Sequence, residues 1–144
     1  MGGYEYPLTR EVILTDPQER RATDEEMAQV KRCWRLPHID LGPGAVAHLY
    51  ASERMSVSFI SQEPNISFKT HSHDNEEIVI VLDGERDEIV DGVLYRIKAG
   101  DIMTVPPGAV HGSYTYEQGC KVIEVFAPPR EDLFARLTTT GEAG

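Results

Sequence analysis

The sequence is poor in cysteine, in long apolar runs and in positive charge. Cysteine occurs only at Cys33 and Cys120, and the pair matches no Cys-x-x-Cys or zinc-ribbon spacing. No apolar run approaches the ~18 residues that a membrane-spanning helix needs. The first residues, Met-Gly-Gly-Tyr-Glu-Tyr-Pro, carry neither the basic nor the apolar stretch of a secretory leader. Tyr6 stands where a myristoylated chain wants Ser or Thr. These absences predict a cytoplasmic protein with reduced thiols and no membrane partner. Lys and Arg number 14 against 24 Asp and Glu, a net charge of −10. So acidic a chain repels phosphate backbones and anionic lipid, which excludes nucleic acid as the first expectation. The 144 residues fit one domain, large enough to hold a core without disulfide staples.

What is present changes character along the chain. Residues 1–20 are polar and interrupted by Pro7 and Pro17. Thr23-Asp-Glu-Glu26 has the form of a capping box, and Met27, Val30 and Trp34 follow at helical spacing. The pattern predicts a short helix near 24–34, ended at Leu36-Pro37. From residue 46 onward, short apolar or alternating runs predict strands at 46–50, 55–62, 66–70, 77–82, 93–97, 102–105, 113–116 and 121–126. Asp83-Gly84 and Asp91-Gly92 read as hairpin turns. Strands at this spacing, punctuated by Gly and Pro, predict an all-β sandwich or barrel. Residues 130–137 have the composition of a short helix. The expected organisation is an N-terminal extension over 1–45 packed on a barrel, the barrel over 46–137, and a tail over 138–144.

Five histidines stand at 38, 48, 71, 73 and 111. His38 and His48 lack a metal-binding context and read as ordinary surface or core residues. His71 and His73 are two apart, the spacing that puts side chains on one face of a strand. Glu77 shares parity with Val79 and Val81, so it faces inward if the valines do. A carboxylate inside an apolar barrel needs a counter-charge, which a divalent metal supplies. Gly100-Asp101 reads as a turn and Pro106-Pro-Gly108 as a sharp bend that delivers His111 to a neighbouring strand. Three imidazoles and one carboxylate suit Fe(II), Mn(II), Ni(II), Co(II) or Zn(II) alike.

These residues carry a resemblance. His71, His73, Glu77 and Gly84 fit the pattern H-x-H-x(3)-E-x(6)-G. Gly100, Pro106, Gly108 and His111 fit G-x(5)-P-x-G-x(2)-H-x(3)-N, with Thr115 in place of the final Asn. Both are motifs of the cupin superfamily, and the resemblance covers about residues 55–127. It implies a double-stranded β-barrel, or jelly roll, with one metal ion on His71, His73, Glu77 and His111. Homodimers are common among cupins of this size, so the resemblance also implies a dimer.

The last strand narrows the resemblance. Glu124 and Phe126 share a face with Val122, although parity alone leaves open whether that face is the interior. Pro128-Pro129 then leads to Arg130, a residue type suited to bidentate capture of a carboxylate. The segment Glu124-Val-Phe126-Ala-Pro-Pro-Arg130-Glu-Asp132 is similar to the strand D-V-F-S-P-P-R-E-D of the KdgF family. Those small cupins of pectin and alginate breakdown convert 4,5-unsaturated monouronates to open-chain keto acids. The resemblance implies Glu124, Phe126 and Arg130 as active-site residues and a small anionic sugar acid as substrate. Two departures bear on it: Glu124 is one methylene longer than the family's Asp, and Glu77 stands where the family often has Gln. The alternatives are a non-haem Fe(II) dioxygenase of a small organic acid, which leaves Glu124 and Arg130 without a task, and a non-catalytic cupin that binds a small molecule.

Overall fold

The computed structural model describes residues 20–140, with side chains as far as Leu137. The readings at Pro7, Pro17 and the end of the tail lie outside the described residues. The chain divides into two units, Met1–Lys31 and Arg32–Gly144.

In the first unit, helix α1 spans Asp24–Met27. The capping box forms as the sequence predicts. Thr23 Oγ1 accepts from the Glu26 N–H at 3.1 Å, and the Glu26 carboxylate accepts from the Thr23 N–H at 2.9 Å. The helix is much shorter than the expected 24–34. Met27 and Val30 stay exposed, so no packed apolar face repays a longer helix.

In the second unit, Cys33–Arg35 form a 3-10 turn. Nine strands follow: β1 His38–Gly42, β2 Ala45–Ala51, β3 Ser56–Gln62, β4 Ser67–His71, β5 Glu76–Val90, β6 Val93–Lys98, β7 Ile102–Val105, β8 His111–Tyr114 and β9 Cys120–Ala127. Helix α2 spans Glu131–Thr140. One sheet has the order β1-β2-β3-β9-β5-β7 and the other β4-β8-β5-β6, with every pairing antiparallel. This is the all-β fold that the strand spacing predicts, in the jelly-roll form that the resemblance implies. Strand β1 falls inside the stretch expected to be extension. Its five residues sit between Leu36-Pro37 and Gly42-Pro43-Gly44, and that punctuation hid them.

Strand β5 holds the two sheets together. Its first half pairs with β9 and β7, its second half with β8 and β6. The hairpin expected at Asp83-Gly84 does not exist: the strand runs through it, with a bulge between Val81 and Asp83. Gly84 has φ +75°, and a Cβ there would lie 2.0 Å from the Gly119 carbonyl oxygen. The glycine serves a close backbone approach rather than a reversal. Asp91-Gly92 does turn the chain, with φ of 47° and 84°, the two left-handed residues of a type I′ hairpin.

The barrel interior holds Ile39, Ala47, Leu49, Ile60, Val79, Val81, Val122 and Phe126, each at most 3% exposed. Burying a side chain of valine size or larger contributes ~1.5–3 kcal/mol, enough to set the register of every central strand. Leu133 of α2 joins this core, and the helix packs beside β1.

Candidate functional site

Three histidines meet at one end of the barrel. His71 ends β4 and lies opposite His111, which starts β8. His73 lies in the bend after β4 rather than on the strand, so strand alternation is not what orients it. Asn75 shapes that bend: its carbonyl faces His73 Nδ1 at 3.1 Å, and its side-chain amide donates to the Pro128 carbonyl at 2.6 Å. One ring nitrogen from each histidine lies within 4.8 Å of the others. Glu77 is on β5, 2% exposed and in line with buried Val79 and Val81.

The hydrogen bonds sort the ring nitrogens. Nδ1 of His71, His73 and His111 faces the backbone carbonyl of Lys69, Asn75 and Ala109, at 3.3, 3.1 and 2.9 Å. A carbonyl only accepts, so each Nδ1 carries the proton and each Nε2 turns a lone pair inward. Glu77 Oε1 lies 3.1 Å from His73 Nε2 and 3.3 Å from His111 Nε2. At that range a positive charge must stand between these nitrogens and the carboxylate, either a proton on Nε2 or a metal ion. The three imidazoles therefore could hold a divalent metal, with Glu77 beside two of them and backbone carbonyls orienting the rings.

Burial alone would raise the Glu77 pKa, but hydrogen bonds and charge from His111 and His73 outweigh it and hold it at about 2. Burial lowers the His71 pKa. Burial also disfavours the His111 cation, yet Glu77 and the Ala109 carbonyl shift that pKa upward.

A cavity of about 300 Å³ opens beside this cluster, lined among others by His71, Glu77, His111, Glu124 and Arg130. The face of β9 that parity left open is thus the interior at Glu124. Phe126 is 1% exposed, and its ring meets His73 edge-on at 5.5 Å while the Arg130 guanidinium lies over it at 4.9 Å. It is absent from the cavity wall and braces two residues instead. Arg130 is held by Asp132 through Nε and Nη2, both at 2.9 Å, and its N–H donates to Ser56 Oγ. Thr115, at the motif's Asn position, donates to the Glu63 carbonyl and accepts from the Ile66 N–H. It touches no cluster residue, so the replacement leaves the site alone.

Two residues in the cavity wall escaped the sequence reading. Arg86 is fully buried and bonds Glu88 at 2.7 Å, Glu124 at 2.9 Å and Gln62 at 3.2 Å. Glu88 is 2% exposed. Arg86-Asp87-Glu88 reads as a solvated charge run, and only the glycine inside a strand pattern hints at the bulge that turns it inward. Burial raises the Glu88 pKa to about 7 against the pull of Arg86. Burial and the Glu77 charge raise that of Glu124.

Residues 58–126 match the family model described as a cupin domain. That segment of the chain is a cupin domain. A solved RmlC-like cupin from Shewanella frigidimarina is 27% identical over 71% of this chain and 92% of its own, with a TM-score of 0.65. KdgF from a Halomonas species is 24% identical over 66% and 88%, with a TM-score of 0.62. TT1209 from Thermus thermophilus is 24% identical over 69% and 97%, with a TM-score of 0.59. The last two likenesses speak for the fold. No curated protein matches this cupin by sequence. No helix among its described residues is long and apolar enough to cross a membrane.

Proposed function

We propose that this cupin is a metal-dependent isomerase of a small sugar acid, opening a 4,5-unsaturated uronate and carrying its enol to the ketone. The observation that supports it is the shared cavity. Glu124 and Arg130, the residues of the KdgF-like segment, line the same space as His71, His111 and Glu77.

A divalent metal on His71, His73, Glu77 and His111 would supply Lewis-acid polarisation of substrate oxygens. Glu124 supplies the proton chemistry. Its carboxyl is buried beside the cluster, and it would take the enol hydroxyl proton and deliver a proton to carbon as the ketone forms. Arg86 fixes that carboxyl through Oε2 and leaves Oε1 for the substrate. Arg130 orients the substrate carboxylate, with Asp132 and Phe126 setting the guanidinium in place.

The test follows the loss of double-bond absorbance when metal-loaded protein meets unsaturated galacturonate or mannuronate. The expected result is a rate above the spontaneous one. Glu124→Gln lowers it by ~10²-fold or more with metal content unchanged. No rate above the spontaneous one, with metal loaded, ends this reading.

A further inference from the structure

Arg86, Glu88 and Glu124 form a buried ionic triad at the inner end of the cavity. Stability does not explain it. A buried guanidinium with two carboxylates costs several kcal/mol per ion to desolvate, and packed apolar residues commonly do as well or better. The fold also interrupts the β5–β9 ladder with a bulge to turn Arg86 and Glu88 inward. Buried charge gathered in a cavity beside a metal-type cluster marks a binding function.

The hydrogen bonds name the ligand chemistry. Arg86 Nη2 takes Glu88 Oε1 and Glu124 Oε2. Among the described residues, Glu88 Oε2 and Glu124 Oε1 make no hydrogen bond, and each lies in a side chain that lines the cavity. Arg86 Nε is the one buried side-chain polar atom there that lacks a partner. The cluster is therefore open to ligand groups that donate to carboxylates and accept from a guanidinium. Hydroxyls do both. A ligand carboxylate does not fit, because it would face two like groups. Cations stand elsewhere on the same cavity: Lys69 and Arg136 are exposed, and Arg130 shares the wall with them.

We infer that the inner end of the cavity is a hydroxyl-binding subsite, formed by Arg86, Glu88 and Glu124, that admits a polyhydroxylated ligand with its carboxylate outward. This rests on the sugar-acid reading for the carboxylate and adds a requirement for hydroxyls. Calorimetric titration with D-galacturonate, and with propionate as a carboxylate lacking hydroxyls, tests it. The expected result is galacturonate binding well above that of propionate. Arg86→Met/Glu88→Leu weakens galacturonate by at least ~10-fold, the scale of losing one or two charge-assisted bonds. Glu88→Gln keeps the side-chain size, so it serves if the double variant fails to fold; it weakens galacturonate and leaves propionate unchanged. Equal binding of the two probes, or galacturonate affinity unmoved in the variants, overturns the subsite. Galacturonate bound through Glu88 without turnover of the unsaturated uronate would uphold the subsite and overturn the isomerase reading. Turnover with equal binding of the probes would do the reverse.

Discussion

Glu88 and Glu77 are both buried carboxyls, yet their neighbours send them opposite ways. Glu77 faces two imidazoles and is held at about 2, while Glu88 is raised to about 7. The sign for Glu88 follows from proton counts. Between its ordinary value of 4.5 and about 7, the folded protein binds more protons there than the unfolded chain. Its contribution to stability therefore falls as pH rises through that window, and the fall is complete above it. Melting temperatures measured across the window should decline in the parent protein, and Glu88→Gln should flatten that decline. A second residue-scale expectation concerns Phe126. Phe126→Leu should keep most of the core yet remove the ring that braces His73 and Arg130. Activity on the unsaturated uronate should drop several-fold, read against a near-normal urea midpoint. Both glutamates sit on faces that local parity handles differently. Glu77 was legible because it keeps step with Val79 and Val81; Glu88 was not, because the bulge at 81–83 shifts the step.

At the scale of elements, most strands were legible from alternation and turn residues. Strand β7 was expected at 102–105 and occupies those residues. The failures share a cause in tertiary contact. Asp83-Gly84 has the composition of a hairpin, but the glycine is there because β9 and the preceding loop pass too close for a side chain. Gly84→Ala would set a Cβ 2.0 Å from the Gly119 carbonyl oxygen in a left-handed backbone. It should cost ~3 kcal/mol or more in urea unfolding, beyond the usual range for a single substitution. Gly108→Ala has the same backbone sign, φ +78°, but nothing within 4 Å of the added Cβ. It should cost only ~1–2 kcal/mol, the conformational penalty by itself. Comparing the two separates crowding from backbone strain. Helix α1 failed in the other direction: its cap formed as read, but a good cap does not extend a helix whose apolar residues stay in water.

For the whole molecule, the net charge of −10 conceals local arrangements of both signs. Glu77, Glu88 and Glu124 line the cavity with Arg86, and Lys69, Arg130 and Arg136 share its wall. A divalent ion held by the histidine cluster would offset part of that negative charge and would favour the folded chain, where the three imidazoles meet. At 100 times its Kd it should add ~2.7 kcal/mol, raising the melting temperature by roughly 5–10 °C. Chelator should reverse the shift, and His111→Ala should abolish it. The amino-acid order alone determined an all-β sandwich or barrel and the inward side of Glu77, because side-chain period and turn chemistry are local; the jelly roll and the gathering of the histidines came from the two motifs. Tertiary structure alone decided that Glu124 faces the cavity, that Phe126 stands behind it, and that Arg86 and Glu88 complete its inner end. Which face of a strand is interior depends on bulges and on the sheets packed around it, and no local pattern encodes either.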